Sequence, residues 1–504
     1  MGLRTRKILQ TTLWGEADYD TGNQNLRRAL SDLRRVLGPA FESLLHVTSA
    51  DIQLDLDQVE FDASNSSCVF LEDLDVREPA FLAWRDQMRA APEQLAALCR
   101  ASRGGASRIR PWISALPLAV PDGNPERRVL ADWVAQELCR SLSRSNLLTV
   151  VSHLSGRQMD NRTIDIRNIR EKLGVDFLVT GTSRHAGAEE ILAFDFIEVE
   201  SGNILWSRDV RCPASMLTET LPDRLSGVVQ GIGRSIAEST LGSVRGLAPS
   251  AVADHKLLMA GVSAMHRRAI RDFFMARQYL AEILARTPAT AEIHAWLAKW
   301  YILSIIKGYS TNRQDDTARA LDCTARALDL APESSFCLTM DGFAHGNIVG
   351  DPALAEQRYA AALEINPNES LAWLLCGSLR AFQDDGTAAV KATETARRLS
   401  PIDPFGYYYD SLASSAHLAA GDYRRTIELA DRSLAINDRH ISTYRSKITA
   451  LHCLGEGEAA RRTADDLKRR FPDFRLDDYR RTHPSSAQKT GRLVTEALAA
   501  AGIA

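Results

Sequence analysis

The chain has 504 residues and a net charge of −3, with 45% hydrophobic and 25% charged residues. That length suffices for about two to four domains with sizeable cores, and the composition is ordinary for a globular protein. Because the net charge is close to zero, the chain is not a general polyanion binder, and any nucleic-acid surface must be local.

Residues 24–38, QNLRRALSDLRRVLG, have the periodicity of an amphipathic helix that ends at a glycine. Its apolar face is formed by Leu26, Ala29, Leu30, Leu33 and Leu37. The other side carries the polar and basic residues Gln24, Arg27, Arg28, Ser31, Arg34 and Arg35. Alternating runs at 44–48 and 52–56 predict a hairpin. A helix before a hairpin is the second half of a winged helix, whose helix enters the major groove of DNA. A solvated helix without DNA contacts is the alternative.

Residues 13–38, LWGEADYDTGNQNLRRALSDLRRVLG, with LDLDQVEFD at 54–62, resemble the winged-helix domain of bacterial transcriptional activators of the OmpR-like and SARP type. FLEDLDVREPAFLAWRDQMR at 70–89 is similar to the segment that follows the wing in that group. The resemblance implies DNA binding through the basic helix. Members of the group have further strands and a helix ahead of the part matched by residues 5–14, so we expect a partial, N-terminally truncated winged-helix domain at 1–62.

The predicted hairpin is acidic, which opposes phosphate binding. Its carboxylates belong to Asp51, Asp55, Asp57, Glu60 and Asp62. DNA binding and its loss therefore both stay open. Residues 63–110 are predicted to form a short helical segment and a linker, which ends in ASRGGASRIRP.

Residues 111–245 alternate between strand and helix patterns. Strands are predicted at 112–118, 147–152, 176–182, 190–199 and 203–210, and helices at 125–144, 164–173 and 217–241. The order predicts an α/β sandwich with a mixed sheet. LPL at 116–118, DIRNIREKLGVDFLVTGTSRHAG and IEVESGNILWSRD resemble the TolB amino-terminal-like domain of bacterial regulators. That resemblance implies a structural or sensory spacer without chemistry of its own.

Residues 251–475 contain regularly spaced positions at which a helix is predicted to end, here called marks. The marks are Pro288, Pro332, Pro367, Pro401, Asp438 and Pro472, separated by 44, 35, 34, 37 and 34 residues. A period near 34 with two helices per unit is typical of tetratricopeptide repeats. Twelve residues before the marks stand Ala276, Ala320, Ala355, Ala389, Thr426 and Ala460. Five before them stand Ile283, Ala327, Ala362, Ala396, Ser433 and Leu467. Mostly small side chains at these places predict close helix crossings in about six hairpins.

Such an array is predicted to form a curved superhelix with an inner surface that holds a peptide or partner helix. The candidate contact residues are Glu292, Leu371, Leu374 and Tyr408. The 44-residue step predicts an inserted surface loop at 304–314. Residues 476–504 are predicted to be a tail with a capping helix.

We identify no nucleotide-binding loop, hydrolase elbow or metal-ligand spacing. We therefore expect no enzyme, catalytic residue, metal or cofactor. The 8 scattered cysteines contain no C-x-x-C pair, and no stretch is long and apolar enough for a signal peptide or membrane span. These features predict a soluble, cytoplasmic protein without a membrane partner.

The expected fold class is multidomain α plus α/β, with a partial winged helix, an α/β sandwich with a mixed sheet and an all-α tetratricopeptide superhelix. The predicted function is a transcription regulator that binds DNA through the winged helix and a protein partner or effector through the array. The alternative is a tetratricopeptide interaction scaffold that has lost DNA binding. A related architecture joins TolB-like and tetratricopeptide segments to nucleotide cyclase domains, but we identify no cyclase domain in this sequence.

Overall fold

The computed structural model describes residues 3–15, 17–38, 40–48, 51–54, 76, 78–90, 108–157, 166–213, 217–400 and 405–503. The chain divides into two compact units, Met1–Arg108 and Ile109–Ala504, here called the N-terminal and C-terminal units. Several predictions fall outside the described residues, namely those on Asp55, Asp57, Glu60, Asp62, Pro401 and most of the linker at 101–111.

The N-terminal unit combines short strands with helices. In its described part these are β1 (Leu3–Thr5), α1 (Arg6–Leu13), α2 (Tyr19–Leu37), α3 (Ala40–Leu44), β2 (Leu45–Val47), β3 (Asp51–Leu54) and α4 (Pro79–Ala90). The strands form an antiparallel sheet in the order β1-β3-β2, so the predicted hairpin is present as β2 and β3. The sequence analysis did not predict β1 or α1.

Helix α2 has clear end signals. The Asp18 side chain accepts a hydrogen bond from the Thr21 backbone N–H at 2.9 Å, which caps the first turn. Gly38, with φ of 56°, ends the helix. Its predicted apolar face is only partly buried, because Leu26 is 4% exposed whereas Leu33 is 44% exposed.

The C-terminal unit begins with an α/β domain. Its described elements are β4 (Trp112–Ala115), α5 (Pro125–Leu142), β5 (Thr149–Val150), α6 (His153–Arg157), α7 (Ile166–Leu173), β6 (Phe177–Ala186), β7 (Glu189–Glu198), β8 (Ile204–Pro213) and α8 (Leu217–Val244). The sheet order is β5-β4-β6-β7-β8, with parallel pairs on one side of β6 and antiparallel pairs on the other. The predicted mixed sheet is therefore present.

Two glycines of the α/β domain allow close packing rather than ligand binding. A Cβ on Gly181 would lie 1.8 Å from the Ala193 carbonyl oxygen of the neighbouring strand. A Cβ on Gly231, in α8, would lie 2.4 Å from the Trp206 ring. Any larger residue at either position would displace its neighbour.

Between residues 254 and 470, the described chain forms six helical hairpins, here called the array. They are α9 (Asp254–Met265) with α10 (Ile270–Arg286), α11 (Ala291–Ile306) with α12 (Arg313–Leu330), α13 (Ser335–Ala344) with α14 (Pro352–Ile365), α15 (Ser370–Phe382) with α16 (Gly386–Leu399), α17 (Gly406–Ala419) with α18 (Tyr423–Ile436), and α19 (Ile441–Cys453) with α20 (Gly457–Arg470). The second helix of each hairpin ends two residues before the corresponding mark, for example Arg286 before Pro288. Helices α21 (Leu476–Thr482) and α22 (Lys489–Ala500) follow, and α22 packs against α19.

The small residues lie where the two helices of a hairpin cross. Ala276, Ala320, Ala355, Ala389 and Thr426 are 0% exposed, and Ala460 is 3% exposed. The first helix of a hairpin can contribute a glycine to the same crossing. A Cβ on Gly377 would lie 2.7 Å from Thr393 Cγ2 and 3.0 Å from the Ala389 carbonyl oxygen. The separation of the paired helices is therefore set by backbone contact.

The array turns back on itself instead of leaving an open inner surface. His266, after the first helix of the first hairpin, has its Nδ1 3.0 Å from the Tyr407 hydroxyl of the fifth hairpin. Asn437 Nδ2 donates to the His266 carbonyl oxygen at 2.8 Å, and Arg268 donates to the Ile436 carbonyl oxygen at 2.8 Å. These contacts join hairpins that are far apart in the chain.

The extra residues at 304–314 form the predicted surface loop only in part, since Gly308 and residues 311–314 are exposed whereas the start of the segment is buried. Helices α11 and α12 have 16 and 18 residues, and the connection between them begins with the buried Lys307. Lys307 is 7% exposed, and the Tyr309 ring lies 5.2 Å from the Phe273 ring. The start of the insertion therefore packs in the core, and the rest of it lies at the surface.

We expect Ala355→Leu to lower the free energy of unfolding by about 1–3 kcal/mol, because the added carbons have no space at the crossing. Ala360→Leu, at an exposed position on the same helix, should change it by less than about 0.5 kcal/mol. Denaturant titration of both variants measures the difference. Equal stability of the two would show that the helices do not cross at Ala355.

Candidate partner-binding surface and basic helix

Helix α2 presents the six predicted DNA-contact residues to solvent. The side chains of Gln24, Arg27, Arg28, Ser31, Arg34 and Arg35 are all exposed. Two of the arginines already have acidic neighbours, since Arg34 pairs with Glu42 at 3.0 Å and Arg35 with Asp32 at 2.9 Å. Exposed pairs of this kind are weak and would exchange for phosphate at low cost.

The four predicted partner-contact residues of the array lie closer to the interior than the sequence analysis expects. Leu371 is 8% exposed, Leu374 0% and Tyr408 5%. Leu374 is a core residue and is not accessible to a partner. Glu292 is partly buried and forms an ion pair with Arg110 at 2.8 Å. The expectation of an open inner surface is therefore corrected, because the chain itself covers these positions.

The cover comes from the α/β domain. Asn146, in the connection between α5 and β5, donates its Nδ2 to both carboxylate oxygens of Glu369, at 2.7 and 2.8 Å. Ser335 Oγ donates to the same carboxylate at 2.9 Å. Ile109 and Leu147 pack against the apolar core of the array. Polar and apolar contacts thus hold the α/β domain against the starts of the first helices.

The two domains share a cavity of about 60 Å³. Its array side includes Trp296, Lys299, Leu371 and Tyr408, so two of the predicted contact residues meet there. Lys299 Nζ lies 4.8 Å from the centre of the Trp296 ring, where a cation is stabilised by the aromatic face. We call Glu292, Trp296, Glu369, Leu371 and Tyr408 the docking surface.

Glu369 is the central polar residue of the docking surface, and the sequence analysis missed it. Burial raises the pKa of its carboxyl, and the hydrogen bonds from Asn146 and Ser335 oppose that rise. The sequence gives only a weak indication that Glu369 has this role. Glu369 stands immediately before α15, a place where acidic residues are common for local reasons. Nothing local indicates that its partner comes from a residue 223 positions away.

No family model matches the chain. A putative adenylate cyclase of Rhizobium meliloti (strain 1021) is 25% identical over 227 residues, which cover 44% of this chain and 38% of that protein. The matched stretch thus spans less than half of the curated relative.

Solved structures with similarity include a tetratricopeptide repeat protein from Parabacteroides merdae, at 14% identity and TM-score 0.30, covering 57% of this chain and 97% of the other. The Cut9 and Hcn1 hetero-tetramer of the APC/C has 14% identity and TM-score 0.38, with coverages of 56% and 53%. YrrB, described as a tetratricopeptide protein with an unusual peptide-binding site, has 16% identity and TM-score 0.23, with coverages of 42% and 98%. The repeat class rests on this chain's own helix pattern.

In the described ranges, no helix is both long and apolar enough to cross a membrane. The same ranges hold no group of three or more His, Cys, Asp or Glu side chains placed to bind a metal ion. The resemblances of the N-terminal unit and the α/β domain to known families stay predictions.

We expect the stability of the chain to depend on the protonation of Glu369. Its pKa in the folded chain lies above the ordinary value of 4.5, so the folded state binds more protons than the unfolded state between the two pKa values. The stabilisation that the Glu369 carboxyl contributes is fully present below its pKa in the unfolded chain. It is lost as pH rises through its pKa in the folded chain. The free energy of unfolding of the parent, relative to that of Glu369→Gln, should therefore fall from about pH 4.5 upward. A difference that stays constant up to about pH 8 would contradict this assignment.

Proposed function

We propose that the chain is an interaction scaffold whose array binds a polypeptide segment at the docking surface. The observation that carries the proposal is that the array already holds segments of its own chain there. Arg110 reaches Glu292, and Asn146 reaches Glu369, from a separate α/β domain. A cytoplasmic location and the absence of a catalytic step are parts of this proposal that stay predictions from the sequence.

The docking surface specifies the chemistry of a partner segment. Glu292 takes a basic side chain, as it takes Arg110 in the folded chain. Glu369 takes an amide or hydroxyl donor, as it takes Asn146 and Ser335. The aromatic rings of Trp296 and Tyr408 line the shared cavity and supply apolar surface. A segment with a basic residue, an apolar residue and a hydrogen-bond donor would reproduce the contacts of the α/β domain.

Partner binding and α/β docking compete for the same carboxylates. A partner would gain affinity when the α/β domain is released, because the binding-competent fraction of molecules increases. Release would break the Arg110–Glu292 and Asn146–Glu369 contacts and would expose apolar residues such as Leu147 that pack against the array. We therefore place the α/β domain in the role of an internal cover.

The test is selection from a random-peptide library on the full chain carrying Asn146→Asp, which sets a second carboxylate against Glu369. Selected peptides should bind this variant at least about tenfold more tightly than the parent, because the cover is weakened. They should contain a basic residue, and Glu292→Gln in the same background should weaken them about tenfold through loss of a charge-assisted contact.

Asn203→Asp provides the matched control, since Asn203 is an exposed residue of the same domain. This substitution adds the same charge and should leave peptide affinity at the parental value. Peptides that bind the parent, Asn146→Asp and Glu292→Gln chains equally would place the binding surface elsewhere and remove the basis of the proposal.

A second candidate function, DNA binding, is favoured by one observation in the N-terminal unit. All six predicted contact residues of α2 are exposed, and the β2–β3 hairpin follows this helix. Arg28 and Arg35 lie seven positions apart, which places them on the same face of the helix. The arrangement presents basic side chains in the way that a groove-binding helix requires.

If α2 binds DNA, Arg28→Ala with Arg35→Ala should weaken binding of genomic fragments by tenfold or more, and affinity should fall steeply with salt because phosphate contacts release counterions. The control is Arg461→Ala with Arg462→Ala, an equal change of charge at exposed positions of α20. Fluorescence anisotropy at low salt measures both. Absence of binding by the parent at micromolar concentration, or equal loss in both double variants, would reject DNA binding through α2.

The curated relative bears the name of a putative adenylate cyclase. We do not extend cyclase activity to this chain, because the matched stretch covers only 38% of that protein. The proposed scaffold function concerns the array and the α/β domain of this chain alone.

A further inference from the structure

A second cavity lies inside the array, away from the docking surface. Its volume is about 20 Å³, and it lies between the end of α11 and the start of α19. The polar side chains that line it belong to Lys307, Arg439, His440, Ser442 and Arg445. Lys307 belongs to the second hairpin and the others to the sixth, so the cavity lies where distant parts of the array meet.

The cations of this cavity have no carboxylate partner among the described residues. Lys307 Nζ donates to the Met265 carbonyl oxygen at 3.1 Å, and Arg439 donates to the Arg470 carbonyl oxygen at 3.0 Å. Arg445 donates to Ser442 Oγ at 2.9 Å, and its guanidinium lies 4.8 Å from the centre of the Tyr479 ring. Lys307 is buried and Arg439 and Arg445 are half-buried, and cations in such places without a negative partner are costly.

His440 adds a neutral ring to the cavity lining. Thr443 Oγ1 donates to Ser411 Oγ at 2.8 Å, and Ser411 Oγ lies 2.8 Å from His440 Nδ1. Burial lowers the pKa of His440 to about 3, so its ring is neutral at pH 7.

The start of α19 also adds positive electrostatic potential to the cavity. His440 is the N-cap residue, but its side chain makes no capping hydrogen bond to the helix. The backbone N–H groups of the first turn therefore have no side-chain acceptor, and the positive end of the helix dipole lies beside the three cations. The surroundings of the cavity are thus dominated by donors and positive charge.

We propose that this cavity binds a small monovalent anion of the size of chloride. Its volume is close to that of one or two water-sized spheres, which suits a single small ion. The anion would neutralise Lys307, Arg439 and Arg445 at once and would link the second hairpin to the sixth. It therefore stabilises the closed form of the array.

Bromide is the probe for the test, because it resembles chloride and has an anomalous X-ray signal. At equal ionic strength, bromide in place of gluconate should raise the melting temperature of the full chain by about 2 °C, with saturation. Lys307→Met should abolish the bromide-dependent rise, even if removal of the buried charge changes the melting temperature itself. Lys447→Met, on the same helix as Arg445 but paired with Asp431 at 2.7 Å, should retain the rise.

Crystals of the parent soaked in bromide provide a readout that does not depend on the variants. An anomalous peak between Lys307 Nζ and the first turn of α19 supports the proposal. Soaked crystals without that peak, or a melting-temperature rise that is equal in the parent and Lys307→Met, would overturn it. A rise with sulfate that bromide does not produce would overturn the assignment of a small monovalent ion.

Discussion

The close crossing of the two helices in each hairpin is the constraint on which the C-terminal unit depends. At the crossings, side chains such as Ala355 and Ala389 are fully buried against the backbone of the partner helix. This contact fixes the distance within a hairpin and therefore the step from one hairpin to the next. Small changes in that step accumulate along a solenoid, so they decide whether distant hairpins meet.

In this chain distant hairpins do meet, and the consequence is a polar interior. Closure buries His266, Lys307 and His440, groups that an open superhelix would leave in water. Each of the three has a hydrogen-bond partner in another hairpin, as in the contact of His266 with Tyr407, although His266 Nε2 has none among the described residues. Buried polar groups of this kind favour one arrangement over others, because any shift leaves them without partners.

The same closure changes where a partner can bind. First helices that would line a groove are packed against one another, and polar groups lie at their starts. Glu292 and Glu369 lie there, and the α/β domain occupies both. The α/β domain is therefore more than a spacer beside the array: it occupies the docking surface, to which we propose that a partner binds. In the N-terminal unit, by contrast, the basic side chains of α2 are exposed.

The sequence by itself determined the features that depend on neighbouring residues. The positions of the helix ends followed from the spacing of the proline marks, the small crossing residues from their fixed offset, and the mixed sheet from the order of strands and helices. Periodicity reports these because local geometry repeats along a helix or strand.

The tertiary structure alone decided which polar residues meet and which surfaces remain open. Leu374 and the start of the insertion at 304–314 look like surface features in sequence, but both are in the core, because helices of other hairpins pack against them. The pairing of Glu369 with Asn146 spans 223 positions, and the cation cluster of Lys307, Arg439 and Arg445 joins two distant hairpins. Such contacts depend on the accumulated rotation of the whole array, which no local pattern encodes.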